Sequence, residues 1–248
     1  MKNLFIIIGT SKGLGKALLE VVMQNKNNYL IIVNRRKTNQ GQNNAVEQQI
    51  DLSKIISRKQ LNGLFACINS LLKKHALSAV NLINNASVIE PIMPIGQVSR
   101  DELTSAVNVN YLNYLILLNH LINFIRKSSR TLRIINITSG AAVSPHAGLG
   151  AYCSTKAALE MLGQCINLEQ AKNKQIKIIN LRPGVMNTTM QQKMCSSQEK
   201  NFPKAAIYKK IFKDQKLLDT KLVAQKIYQV FGHNKYWRQS ILDVNDIK

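Results

Sequence analysis

Carboxylates are scarce in this chain: 13 Asp and Glu stand against 34 Lys and Arg in 248 residues, a formal charge of +21. Such an excess of cations can mark a nucleic-acid or membrane-surface protein. The basic residues are dispersed, however, with no run of four or more. No nucleic-acid or membrane partner is therefore expected from charge alone. Cysteine is sparse too. Cys67, Cys153, Cys165 and Cys195 form no CxxC and have no His at metal-ligand spacing. That argues against a disulfide framework or a metal site and fits a reducing compartment. Long apolar runs are missing. Nothing approaches the ~18 residues of a membrane span. The run after Met1-Lys2 stops at Ile8, too short for a signal-peptide core. A soluble cytoplasmic protein is expected. The composition, 45% hydrophobic and 19% charged, is globular, and the length suits one large domain spanning 1–248.

Short apolar runs alternate with helical periodicity. Leu4 to Ile8, Tyr29 to Val33, Ala79 to Ile83, Leu132 to Ile137 and Ile176 to Leu181 read as strands buried on both faces. Ala45 to Ile50 is a weaker strand, and Ser240 to Leu242 a short last one. Helical spacing runs from Leu14, over 55–72, over 99–124, over 151–170 and over 220–231. Ser99 and Glu102 form a capping box. Residues 34–44 read as a loop. Residues 185–219 read as one long irregular region, a candidate substrate-binding loop. The alternation predicts an α/β fold: a Rossmann-type doubly wound sheet of about seven mostly parallel strands, with helices on both faces.

Gly9-Thr10-Ser11-Lys12-Gly13-Leu14-Gly15 separates the first strand from the first helix. Dinucleotide-binding folds place a pyrophosphate there, against a tight turn and a helix N-terminus. The second strand ends in Asn34-Arg35-Arg36-Lys37 without an acid. An acid there would hold a ribose 2′-OH, whereas cations suit a 2′-phosphate. Arg35, with Lys12 nearby, favours NADP over NAD. Tyr152 and Lys156 lie one helical turn apart. Ser139 follows the fifth strand, at the carboxyl edge where such sheets bind ligands.

These pieces together resemble the classical short-chain dehydrogenase/reductase family. The resemblance rests on Gly9-x3-Gly13-x-Gly15, Asp51-Leu52, Asn84-Asn85-Ala86, Val109-Asn110, Ser139, Tyr152-x3-Lys156 and Pro183-Gly184. Ile8, Ser87 and Asn113 depart from it, standing where Thr, Gly and Gly are usual. Within the family, Ala151 to Ala158, Met190-Gln191-Gln192 and Leu242 to Asp246 are similar to the sepiapterin and benzil (diketone) reductases.

The resemblance implies NAD(P)(H)-dependent carbonyl chemistry and usually a dimer or tetramer; a homodimer through the helices at 99–124 and 151–171 is expected. It implies catalytic roles for Ser139, Tyr152 and Lys156, and a water-ordering role for Asn110. It places Gly9, Ser11, Lys12, Gly13, Leu14 and Gly15 at the cofactor. Asp51 and Leu52 fall at the adenine, and Asn84, Asn85 and Ala86 near the adenosine ribose. Pro183 and Gly184 fall at the cofactor, with Thr188 reaching the nicotinamide carboxamide or the phosphates, and Asp243 at a substrate anchor. Chemically, Tyr152 would protonate the carbonyl oxygen and Ser139 would hold it. Lys156, and the positive nicotinamide of NADP⁺, would lower the phenol pKa from near 10. The expectation is an NADPH-dependent reductase of a ketone or diketone. The competing reading is a silent NADP(H) sensor on the same fold. His146 reads as a plain loop residue and Trp237 as packing.

Overall fold

The computed structural model describes residues 2–38, 44–215 and 217–248. Of the 34–44 loop, residues 39–43 lie outside the described residues, as does 216 of the 185–219 region. The apolar runs become β1 (Lys2–Ile8), β2 (Asn28–Asn34), β3 (Ala45–Gln49), β4 (Leu77–Asn84), β5 (Thr131–Ile137), β6 (Ile176–Arg182) and β7 (Ile241–Asp243). They form one parallel sheet in the order β3-β2-β1-β4-β5-β6-β7. The order reverses between β1 and β4, and an open α/β sheet binds ligands at such a switch point.

Residues of β1 alternate between two cores, as a two-residue period requires. Leu4, Ile6 and Ile8 face one cluster, and Phe5 and Ile7 the other. The first is covered by α2 (Arg58–Lys74), α4 (Asn113–Arg126) and α5 (Gly150–Glu169), through Leu64, Ile68, Leu117, Leu121 and Leu159. The second is covered by α1 (Gly13–Met23) and α8 (Thr220–Gly232), through Leu18, Val22, Ile227 and Val230. Trp237 packs here, its ring 5.6 Å from Phe231 and its indole N–H on the Val230 carbonyl.

Two segments differ from the sequence reading. The long helix at 99–124 is α3 (Arg100–Val107), a π-helical turn (Asn108–Leu112) and α4. The Ser99–Glu102 capping box starts it as expected. The region 185–219 is not irregular throughout: it holds α6 (Thr189–Ser196) and α7 (Ala205–Lys213). The Thr188 side chain caps α6, and Met190 and Met194, one turn apart, pack on a small third cluster. That short apolar face is masked in the sequence by its polar and basic neighbours.

The π turn and the start of α4 carry three buried asparagines that fasten loops to the sheet edge. Asn108 donates to the Ser53 carbonyl at 3.0 Å. Asn113 accepts from the Ile56 amide and donates to the Leu52 and Lys54 carbonyls, all at 2.8 Å. The position where the family pattern has glycine is thus a three-point anchor for the loop after β3. Replacing Asn113 with Ala should destabilise the protein by about 2–4 kcal/mol, since buried hydrogen bonds contribute about 1 kcal/mol each and their orphaned partners cost more. Urea unfolding measures this; a loss below half a kcal/mol would show that the loop is held by other contacts.

Candidate active site

At the carboxyl end of β1 the chain turns at Gly9, with φ +84°. A Cβ there would stand 2.8 Å from the Ala86 Cα, and one on Gly15 would collide with the Gly9 carbonyl oxygen. Side chains are therefore excluded where the turn packs on α1 and on the segment after β4. Asn85 donates to the Gly9 carbonyl at 2.6 Å. The Thr10 amide donates to Asn34 Oδ1, and Asn34 Nδ2 to Thr10 Oγ1, both at 2.8 Å. The N-cap of α1 is Lys12, which makes no side-chain cap bond, and no acid occupies the first turn. The leading amides of α1 are left for an anion, as a dinucleotide pyrophosphate requires.

The turn opens into a cleft of about 1030 Å³. Of the expected cofactor residues, Gly9, Ser11, Lys12, Gly13, Leu14, Arg35, Asp51, Leu52, Asn85, Ala86, Pro183, Gly184 and Thr188 line it. Two do not. Gly15 is buried beneath the turn, and Asn84 is buried at the end of β4. Asn85 lines the cleft with its amide spent on Gly9. Burial raises the Asp51 carboxyl, yet the Ser53 hydrogen bonds and the Arg35 and Lys54 charges bring it below its ordinary value.

Ser139, Tyr152 and Lys156 meet at the inner end of this cleft. Ser139 follows β5, while Tyr152 and Lys156 lie in the first two turns of α5. The Tyr152 hydroxyl hydrogen-bonds Ser139. Lys156 Nζ lies 5.7 Å from the Tyr152 ring centre and donates to the Ile137 carbonyl at 2.8 Å. Burial lowers Lys156 to about 8, with the Glu160 charge opposing the shift. Burial raises Tyr152 to about 12 against the Ser139 bond. The phenol is thus raised where a lowered one is expected: the loss of water outweighs the Ser139 bond.

Asn110 sits in the π turn. Its Oδ1 accepts from the Val88 amide at 2.8 Å and Ser87 Oγ at 3.1 Å; its Nδ2 donates to the Val88 carbonyl at 2.9 Å and Thr155 Oγ1 at 3.2 Å. An amide has capacity for four bonds, and these four are to protein groups. The side chain positions the segment after β4. Ser87, another departure from the family pattern, belongs to this set.

Several residues escaped the sequence reading. Glu160 is buried one turn past Lys156. It accepts from Thr138 Oγ1 at 2.9 Å and from Arg182 Nε and Nη2 at 2.9 and 2.7 Å. Arg182 lines the cleft beside Asp243. Asp243 lines it too, with Oδ1 taking the amide and side chain of Asn245. Ile89, Leu149, Met190, Met194 and Tyr208, which also line the cleft, form an apolar cluster with Tyr152. His146 lines the cleft, its Nδ1 buried without a partner. The one sequence signal for this wall was the spacing of Met190 and Met194.

The profile of the short chain dehydrogenase family matches residues 3–199. The chain belongs to this family of oxidoreductases, which act on carbonyl and alcohol groups. It is similar to two proteins named benzil reductase ((S)-benzoin forming). The one from Bacillus subtilis is 33% identical over 84% of this chain and 85% of its own. The one from Bacillus cereus is 28% identical over 97% and 98%. Mouse sepiapterin reductase is 24% identical over 97% and 96%. Among solved structures, ElxO with NADP bound shares the fold at a TM-score of 0.76 and 24% identity, over 98% of this chain and 97% of its own.

The buried Lys156 makes a testable statement about stability. Its folded pKa, about 8, lies below the ordinary 10.5. Between these values the unfolded chain binds more protons, so this group's contribution to stability rises with pH. Lys156→Met removes that term. The stability of the wild type relative to Lys156→Met should therefore rise from pH 7.5 to pH 9.5 in urea unfolding. A flat difference would mean that the ammonium is solvated.

Proposed function

We propose that the chain is an NADPH-dependent carbonyl reductase acting on a ketone or diketone. The observation that supports this most is the set of Tyr152, Ser139 and Lys156 at the inner end of a cleft that begins at the glycine turn. The names of the Bacillus relatives point to a diketone. A dinucleotide held in this cleft would supply the hydride. The protonated Tyr152 phenol donates its proton to the carbonyl oxygen. Ser139 donates a hydrogen bond to the same oxygen and holds it beside the phenol. The nearby Lys156 ammonium stabilises the phenolate that remains. The apolar wall of Ile89, Met190, Met194 and Tyr208 receives the substituents of the carbonyl. Asp243 remains a candidate contact for a polar substituent. Arg35 and Lys12 would take the 2′-phosphate of NADP, and the α1 amides the pyrophosphate.

The proposed assembly is a homodimer. On α5, Leu159 and Ile166 are buried in the core, while Met161 and Leu168 are 60% and 78% exposed. Exposed side chains of this size on one helix suit a second copy. Sedimentation at micromolar concentration should give a species of about twice the chain mass.

A panel of benzil, sepiapterin, small diketones and simple aldehydes with NADPH tests the activity; no turnover with any of them would favour the sensor reading. Tyr152→Phe should lower kcat by about 10²–10⁴-fold, as loss of a general acid does, while NADPH binding stays nearly intact. More than a tenth of wild-type kcat would remove Tyr152 from the mechanism. Arg35→Ala should weaken NADPH about tenfold or more, from the loss of a charged hydrogen bond, and leave NADH almost unchanged. Equal weakening of both cofactors would move the 2′-phosphate elsewhere.

A further inference from the structure

Lys193 of α6 forms an ion pair with Glu90, in the segment after β4. Both residues line the cleft, Glu90 from the segment after β4 and Lys193 from α6. Their side chains are 50% and 44% exposed. Such a pair adds at most about 1 kcal/mol to stability, so the fold does not depend on it.

Its location is informative. The start of α6 rests on the glycine turn: a Cβ on Gly13 would stand 3.3 Å from Thr188 Cγ2. Lys193 follows Thr188 by five residues, about a turn and a half along the same helix. Lys12 of the glycine turn lies near enough for its charge, after burial, to act on Lys193. One corner of the cleft thus holds two ammonium groups, one carboxylate and the open amides at the start of α1. Two like charges are brought together here with one acid to offset them. A group carrying several negative oxygens would relieve the repulsion and engage both cations.

We propose that Lys193 is a phosphate ligand held in reserve by Glu90: when a dinucleotide binds, the Lys193 ammonium exchanges the Glu90 carboxylate for an oxygen of the pyrophosphate. This rests on the reading of the cleft as an NADP(H) site. One charge-assisted hydrogen bond breaks and another forms, and no proton is transferred. The exchange draws α6 toward the glycine turn and frees Glu90.

The two partners of the pair then have opposite effects on the cofactor. The test is the Kd of NADPH and of NADH by fluorescence titration, for the wild type, Lys193→Met, Glu90→Gln and the double variant. Lys193→Met should weaken both cofactors by the same factor, about tenfold, because both carry the pyrophosphate and a charged hydrogen bond is lost. Glu90→Gln should tighten both about threefold by removing the competitor, a fraction of one exposed ion pair. The double variant should match Lys193→Met alone, since Glu90 acts only through Lys193. Lys193→Arg should bind within threefold of the wild type, on the order of one exposed interaction. Weaker binding in Glu90→Gln would make the pair a structural strap and overturn the exchange. A double variant tighter than Lys193→Met by the full Glu90→Gln factor would mean that Glu90 repels the cofactor directly, which also overturns it. An unchanged Kd in Lys193→Met does the same. If the wild type binds neither cofactor, the NADP(H) reading itself fails, and the exchange with it.

Discussion

Strand direction is the constraint on which the rest of this protein depends. All the strand pairings are parallel, so the carboxyl ends share one edge. Strands covered on both faces have little room for chemistry along their length. Polar side chains inside them must find partners within the sheet, as Asn136 does with Asn180 at 3.0 Å. Reactive groups are pushed to the ends. Gly9 follows β1, Asn85 follows β4, Ser139 follows β5, Arg182 closes β6 and Asp243 closes β7. Five residues distant in sequence therefore meet in one cleft without any loop having to be long.

The inner end of the cleft is dry, and its electrostatics follow from that. Lys156 has lost water and kept one carbonyl, so its ammonium is held at the edge of deprotonation. Glu160, one turn on, opposes this, and its own charge is secured by Thr138 and by two bonds from Arg182. Removing one partner of such a buried pair strands the other. The same burial raises the Tyr152 phenol further above neutral pH, where a phenol is protonated in any case. That is the state a proton donor to a carbonyl needs. The conjugate base that the transfer would leave has the Lys156 ammonium nearby.

Much of the site was legible because it rests on local spacing. Tyr152 and Lys156 are one turn apart in any helix, and a glycine turn between a strand and a helix has few uses. The strand ends followed from short apolar runs. What could not be read depends on pairs distant in sequence. Glu160 and Arg182 are 22 residues apart and meet only because α5 packs on β6. The asparagines at 108, 110 and 113 look alike as letters, yet they fasten two different loops. Asn84 and Gly15 matched the family pattern but face inward, which spacing does not reveal. The helices α6 and α7 were missed because their apolar faces are short and lie among lysines.

The scarcity of acids makes their positions informative. Arg35 has Asp51 near it, Arg182 has Glu160 and Asp243, and Lys193 has Glu90. A chain of +21 has too few carboxylates to neutralise its surface, yet several stand beside cations that line this cleft. An anion with one charge that displaces a carboxylate from such a cation exchanges one ion pair for another and gains little. A ligand with several phosphate oxygens engages separate cations and the free α1 amides together, and its attachment at one point raises its effective concentration at the next. The long-range field of the remaining cations draws any anion toward the protein. Cations already paired with carboxylates would favour, among the anions that arrive, one that carries several charges.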